Sequence, residues 1–209
     1  MRISAAILAG GGATRFGGRD KGTLIVEGRT ILDRQLAEIQ QVTEDIVIVG
    51  APTVPLILPF PPVKIRTAPD LVPGKGPLGG LHTALEATTA DVLLLVACDM
   101  PFLSAAFLAY LASQCLDADA VVPHTERGYH PLCAAYAHTC RPAVACRLAD
   151  GRLAMKDLLT DLRLRVIGAD DIDRFGPRHR LLANVNTPDD LDRLHDLLGT
   201  FAGDERHER

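Results

Sequence analysis

Apolar residues fall along this chain in two alternating periods. Residues 3–8 form a short apolar run that reads as a buried strand, and a glycine-rich stretch follows it at once. Residues 23–26 are a short extended piece turned by Glu27-Gly28. From residue 30 to about 41, Leu32, Leu36, Ile39 and Val42 recur at three- and four-residue steps, which predicts an amphipathic helix. Residues 46–50 are β-branched and apolar, as a central strand requires. Residues 52–62 hold five prolines in eleven positions and therefore predict a surface connection. Residues 63–66 read as a minor strand, and Pro77 opens a helix carrying Leu78, Leu81 and Leu85. Residues 91–97 are the most apolar strand of the chain, and Ser104 caps a helix whose Phe107, Leu108 and Leu111 face inward.

The second half is less regular. Residues 119–122 and 129–136 predict strands, with Cys133 and Ala135 on one side of the second. Residues 141–162 predict helix with a break at Gly151, and residues 164–168 and 181–185 predict two more strands. Thr187-Pro188-Asp189-Asp190 is a helix start: a cap, a proline, then two acids facing the positive helix end. Leu191, Leu194 and Leu197 then face the core, and the polar stretch from residue 199 predicts a frayed tail. Alternating helices and buried strands give a single-domain α/β fold over residues 1–198, with a mostly parallel, doubly wound sheet and helices on both faces.

Composition removes several classes of function. The chain has 209 residues, 47% of them hydrophobic and 23% charged, as in a globular domain with a substantial core. The net charge is −4, so no broad basic field points to nucleic acid, and an anion site must be local. No apolar run approaches the length of a membrane span. The run after Arg2 is at the short edge of a signal sequence, but the glycine-rich, arginine-containing stretch behind it favours a first strand. Cys98, Cys115, Cys133, Cys140 and Cys146 are odd in number and contain no C-x-x-C pair, which predicts reduced thiols and a cytoplasmic setting.

The candidate chemistry begins at residues 8–22, where six glycines, two arginines and one lysine follow the first strand. Glycines let backbone N–H groups approach a ligand, and cations among them make a cradle for a phosphate chain. The spacing fits neither a Walker A loop nor a dinucleotide fingerprint, because Gly18 and Arg15 stand where each template needs another residue. An open, cationic loop is the better description. Ligands of open parallel sheets bind beyond the carboxyl ends of strands, which brings Leu8, Ala9, Gly10, Gly11, Gly12, Arg15, Lys21, Gly50, Asp70, Gly79, Gly80 and Asp99 to one rim. Asp99 ends the most apolar strand; it either caps the next turn or holds Mg²⁺, which favours one or two carboxylates with phosphate oxygens.

Arg15 and Lys21 are phosphate contacts or, alternatively, solvated charges, and Asp70 serves either its own glycine loop or a ligand. Asn184 and Asn186 share a face of an extended segment, so that one caps the coming turn and the other reaches metal or phosphates. His130-Pro131 is the histidine pair assigned to a substrate pocket. Cys98 lies beside Asp99, but a small core residue explains it better than a nucleophile.

Leu8-Ala9-Gly10-Gly11, Arg15-Phe16-Gly17-Gly18 and Asp20-Lys21-Gly22 together resemble the signature of nucleotidyltransferases that build sugar nucleotides and cofactor dinucleotides. Gly76-Pro77-Leu78-Gly79-Gly80, Cys98-Asp99-Met100-Pro101 and Asn184-Val185-Asn186-Thr187-Pro188 extend the likeness to the molybdenum cofactor guanylyltransferases of the MobA type over nearly the whole chain. One departure is Gly50, where that family often has a nucleotide-contacting asparagine. The resemblance implies a Rossmann-like fold and Mg²⁺-dependent transfer of GMP from GTP to a molybdopterin-type acceptor. It implies Arg15, Lys21 and Asp99 as catalytic groups, with nucleotide held by the residues of the rim. Asp99 and Asn186 would hold the metal, while His130 and Asn184 would meet the acceptor. Cofactor-insertion or delivery proteins are the implied partners. A relative that uses CTP or another phosphate acceptor, and a non-catalytic nucleotide-binding module, are the competing readings.

Overall fold

Strand β1 (Ile3–Leu8) divides the interior in two. Ala5 and Ile7 belong to one face of the sheet and Ala6 and Leu8 to the other, since successive side chains of a strand alternate. Both faces are covered, and the run is therefore continuously apolar rather than alternating. The structure, a computed structural model, describes residues 1–9, 21–50, 64–185 and 190.

Strands β2 (Ile25–Val26) and β3 (Arg29–Thr30) form a hairpin, with Glu27 at φ 48° and Gly28 at φ 76°. Positive φ at both turn positions matches the twist of paired strands, and only at Gly28 is it free of steric cost. Helix α1 (Ile31–Ile39) begins where the Thr30 hydroxyl accepts from the Asp33 N–H at 3.0 Å. Strands β4 (Asp45–Val49) and β5 (Lys64–Ala68), helix α2 (Gly76–Glu86), strand β6 (Val92–Ala97) and helix α3 (Ala105–Ser113) follow. The remaining elements are β7 (Ala120–Thr125), β8 (Gly128–Tyr129), β9 (Cys133–Ala137), α4 (Arg141–Ala149), α5 (Met155–Leu158), β10 (Leu164–Ile167), α6 (Ala169–Asp173) and α7 (Arg178–Leu181).

The main sheet runs β10-β7-β9-β6-β1-β4-β5, with β8 paired to β7. Pairings of β1 with β4 and β6, of β4 with β5 and of β7 with β10 are parallel. Strand β9 is antiparallel to both β6 and β7, so those two run in one direction. Residues of α1 and α3 cover one face, and residues of α2, α4 and α5 cover the other. This is the mostly parallel, doubly wound α/β sheet that the apolar pattern predicts.

Two expectations need correction. The predicted strand at 129–136 is two strands, β8 and β9, separated by a turn at His130, where the backbone N–H of His130 donates to the Pro123 carbonyl and the N–H of Cys133 to the His130 carbonyl. The predicted strand at 181–185 is not in the sheet: residue 181 closes α7, and the segment after it docks on the loop beyond β6. The break predicted at Gly151 within residues 141–162 is present: Gly151 takes φ 71° and separates α4 from α5. The proline-rich stretch at 52–62, the last helix and the tail lie outside the described residues.

Candidate active site

The registers set the carboxyl ends of four parallel strands level. Leu8 pairs with Val49 and Ala97, and Val49 pairs with Ala68. The ladder runs one residue further at each junction: Ala9 N–H donates to Val49 O at 2.8 Å, Gly50 N–H to Ala68 O at 2.9 Å and Cys98 N–H to Leu8 O at 3.3 Å. Gly50 turns away at φ 96°, a conformation that a residue with a Cβ rarely takes. Asp70 lies just past β5, and its Oδ1 is buried without a hydrogen-bond partner among the described residues. The neighbouring Leu71 N–H donates instead to the Thr83 hydroxyl at 3.1 Å.

Asp99 is 8% exposed and stands two residues beyond β6. Asn184 Nδ2 donates to its Oδ1 at 2.9 Å, and the Val185 N–H donates to its main-chain carbonyl at 2.8 Å. Val185 is fully buried among Val26, Ile31, Phe102 and Ala183, and this apolar patch pins the segment against the loop. Asn184 thus meets Asp99 itself.

Strand β9 explains how His130 reaches the same rim. Because β9 runs antiparallel to β6, its entry lies at the carboxyl end of β6, where Ala97 N–H donates to Leu132 O at 2.8 Å. His130 and Asn184 both line a cavity of about 400 Å³ there, with Pro77, Met100, Cys133 and Met155 among the other walls. His130 Nε2 and the Thr125 hydroxyl are 2.9 Å apart. Burial, and then the charge of Arg127 and of His124, hold the imidazole below its ordinary pKa and so favour the neutral ring. Burial alone pushes the Cys133 thiol up to about 12, so it stays protonated and acts as an apolar wall. Met100 and Met155 carry no sequence signal for this role. The break at Gly151 is legible in the sequence, but the place where α5 lands is a matter of tertiary packing.

Leu8, Gly79 and Gly80 have a packing role. A Cβ on Gly80 would stand 2.9 Å from Leu8 Cδ2, and one on Gly79 would stand 2.9 Å from Lys75 Cβ and 3.2 Å from the Val72 carbonyl. The two glycines let α2 close onto β1 and onto the loop that follows Asp70. Gly10, Gly11, Gly12, Arg15 and Asn186 lie outside the described residues. Lys21 opens the 3₁₀ turn Lys21–Thr23.

Among the described residues no group of three or more His, Cys, Asp or Glu side chains could enclose a metal ion. A single buried carboxylate at a ligand-binding rim does fit a hard cation that takes its remaining oxygens from substrate phosphates and water. It does not fit an all-protein cage. Among the described residues all five cysteines are free, and no helix is long and apolar enough to cross a membrane.

A doubly wound sheet with a level rim of carboxyl ends, a strand-end carboxylate and an adjoining cavity defines an α/β protein that handles a ligand at that edge. The sequence matches the MobA-like NTP transferase domain over residues 5–166, and the chain belongs to that nucleotidyltransferase family. It is 33% identical to a molybdenum cofactor guanylyltransferase from Desulfosudis oleivorans over 91% of this chain and 93% of the relative. Its fold is similar to that of the crystal structure of a molybdopterin-guanine dinucleotide biosynthesis protein A from Archaeoglobus fulgidus, with TM-score 0.76 and 22% identity over 94% and 99% of the two chains. It is also similar to a Mycobacterium tuberculosis protein crystallised in complex with manganese, with TM-score 0.62 and 19% identity over 94% and 99%.

Proposed function

We propose that this chain transfers GMP from GTP to the terminal phosphate of a molybdopterin-type acceptor, forming a guanine dinucleotide and releasing pyrophosphate. The observation that carries this reading is the placement of Asp99 and a roughly 400 Å³ cavity side by side, with Asn184 common to both. An oxygen of the acceptor phosphate forms a bond to the α-phosphorus of GTP, and the bond to the β-phosphate oxygen breaks. The pyrophosphate leaves with that electron pair. Such a transfer needs positioning and charge neutralisation more than a covalent nucleophile, and the protonated, buried thiol of Cys133 accords with that.

In this reading the amides of Gly10, Gly11 and Gly12, with Arg15, hold the triphosphate, and Lys21 stabilises charge on the α-phosphate or the leaving group. Leu8, Ala9, Gly50, Gly79 and Gly80 shape the nucleotide side of the rim, and Asp70 Oδ1, without a partner among the described residues, accepts from the nucleotide. Asp99, joined by Asn186, holds Mg²⁺, which when bound neutralises triphosphate charge; the manganese complex of the mycobacterial relative supports a divalent ion. Asn184 holds the Asp99 carboxylate in one orientation. The neutral His130 faces the acceptor from the cavity wall, with apolar neighbours that suit a flat ring system and exclude water. Cofactor-insertion or delivery proteins receive the product.

Titration calorimetry with GTP and Mg²⁺, paired with a turnover assay, tests the reading. Asp99→Asn is expected to lose on the order of 100-fold or more in turnover, with weaker metal-dependent GTP binding. Wild-type turnover and binding in that variant would refute the role of Asp99.

A further inference from the structure

Gln35 is a polar side chain on the apolar stripe of α1. It lies four residues after Ile31 and four before Ile39, both fully buried, and is itself 0% exposed. Its Nε2 donates to the Ala97 carbonyl at 2.7 Å and to the Met100 carbonyl at 3.0 Å. These two carbonyls flank Cys98 and Asp99. The opposite orientation of the amide would set Oε1 against two carbonyl oxygens, so the chemistry requires the nitrogen there. The consequence is that Gln35 Oε1 is buried with no hydrogen-bond partner among the described residues. An unsatisfied buried acceptor costs stability that an apolar residue of the same size would not.

The preceding residue extends the grip. Arg34 Nε donates to the Pro101 carbonyl at 3.0 Å and Nη1 to the Val26 carbonyl at 3.2 Å, while Nη2 pairs with Glu27 at 2.7 Å. The turn that carries Asp99 is therefore held at residues 97, 100 and 101 from beneath by α1. Asn184 and Val185 hold Asp99 itself from the other chain segment. Packing alone would select leucine or methionine at position 35. What glutamine adds is two donors on one nitrogen, placed on either side of the catalytic turn.

We propose that Gln35 is a positioning residue that fixes the turn at 98–101 from the core side and so sets where the Asp99 carboxylate stands toward metal and nucleotide. The inference rests on the reading of Asp99 as the metal-holding residue. A methionine at position 35 keeps the length and volume and removes both donors. A glutamic acid buried between two carbonyl oxygens keeps its proton and so retains one donor.

The test compares wild type, Gln35→Met, Gln35→Glu and Asp99→Asn by Mn²⁺ binding in the presence of GTP and by amide hydrogen exchange of the 97–101 segment. The clamp predicts that Gln35→Met binds Mn²⁺ about 10-fold more weakly and exchanges faster in that segment alone. Gln35→Glu should fall between Gln35→Met and wild type in both readouts, although it melts at the lower temperature of the two variants. A role in packing only predicts the reverse order, with Gln35→Met close to wild type in both readouts, and that result overturns the proposal. If instead Asp99→Asn binds Mn²⁺ as wild type does, the reading of Asp99 falls and takes the clamp's role with it. Loss in Asp99→Asn with none in Gln35→Met removes the clamp alone.

Discussion

The Asn184 amide and the Asp99 carboxylate, 85 residues apart in sequence, meet at 2.9 Å, with the Val185 N–H on the Asp99 carbonyl one step further along. Two contacts from one extended segment thus fix both the side chain and the main chain of the strand-end acid. An amide that donates to one carboxylate oxygen limits rotation about the carboxyl group.

Asn184→Ala removes the side-chain contact and leaves the main-chain one. Groups that orient a metal-holding carboxylate are worth about 10–100-fold in metal affinity or activity, so GMP transfer should fall by that order. The melting temperature should stay near that of wild type, since Val185 still anchors the segment. Steady-state kinetics beside a thermal melt checks both halves of the expectation.

The cavity gives a separate handle on the acceptor. Ala154 lies on its wall, so Ala154→Phe takes up space meant for the acceptor while leaving the strand-end carboxylate alone. The KM for the acceptor should rise about tenfold or more with GTP affinity unchanged. Equal losses for both substrates in initial-rate kinetics would mean that the cavity does not belong to the acceptor.

Gly79→Ala should destabilise the fold. The new Cβ meets Lys75 Cβ at 2.9 Å and the Val72 carbonyl at 3.2 Å, and the backbone oxygen cannot swing aside as a side-chain tip would. Overpacking of this kind costs about 1–3 kcal/mol, measurable by denaturant unfolding. The adjoining 70–75 segment, which carries Asp70, should loosen in hydrogen exchange.

Protonation of His130 should oppose folding. Burial and neighbouring positive charge hold its pKa in the folded protein below the ordinary histidine value, so the unfolded chain binds the proton more readily. The stabilisation is fully present above about pH 6.5, the unperturbed value, and is lost as pH falls through the lowered one. Unfolding free energies between about pH 5 and 8 should therefore rise with pH, and less steeply in His130→Phe, which cannot titrate.

Much of this arrangement is legible in the amino-acid sequence. Ile3–Leu8 and Val92–Ala97 read as buried strands because both faces of the sheet are covered, and Ser104 reads as a cap because its hydroxyl accepts from the Phe107 N–H. The rule that puts ligands past strand ends also puts Gly50, Asp70 and Asp99 on one rim. What the sequence hides is long-range. Residues 183–185 have the apolar content of a strand, yet they dock on Asp99 because β6 already has β1 and β9 as neighbours. Helices α6 and α7 leave no periodic signal because each spans a single turn or little more. Gln35 does leave a mark, as a polar residue on an apolar helical face, although its partners are invisible without the fold.

The central claim is the identity of the bond made, and product analysis meets it most directly. The chain is incubated with Mg²⁺, molybdopterin and equal amounts of GTP and CTP, and the products are resolved by mass spectrometry beside a pyrophosphate assay. The account predicts a guanine dinucleotide of the pterin and one pyrophosphate for each dinucleotide formed. A cytosine dinucleotide as the main product, or both nucleotides recovered intact, would contradict it.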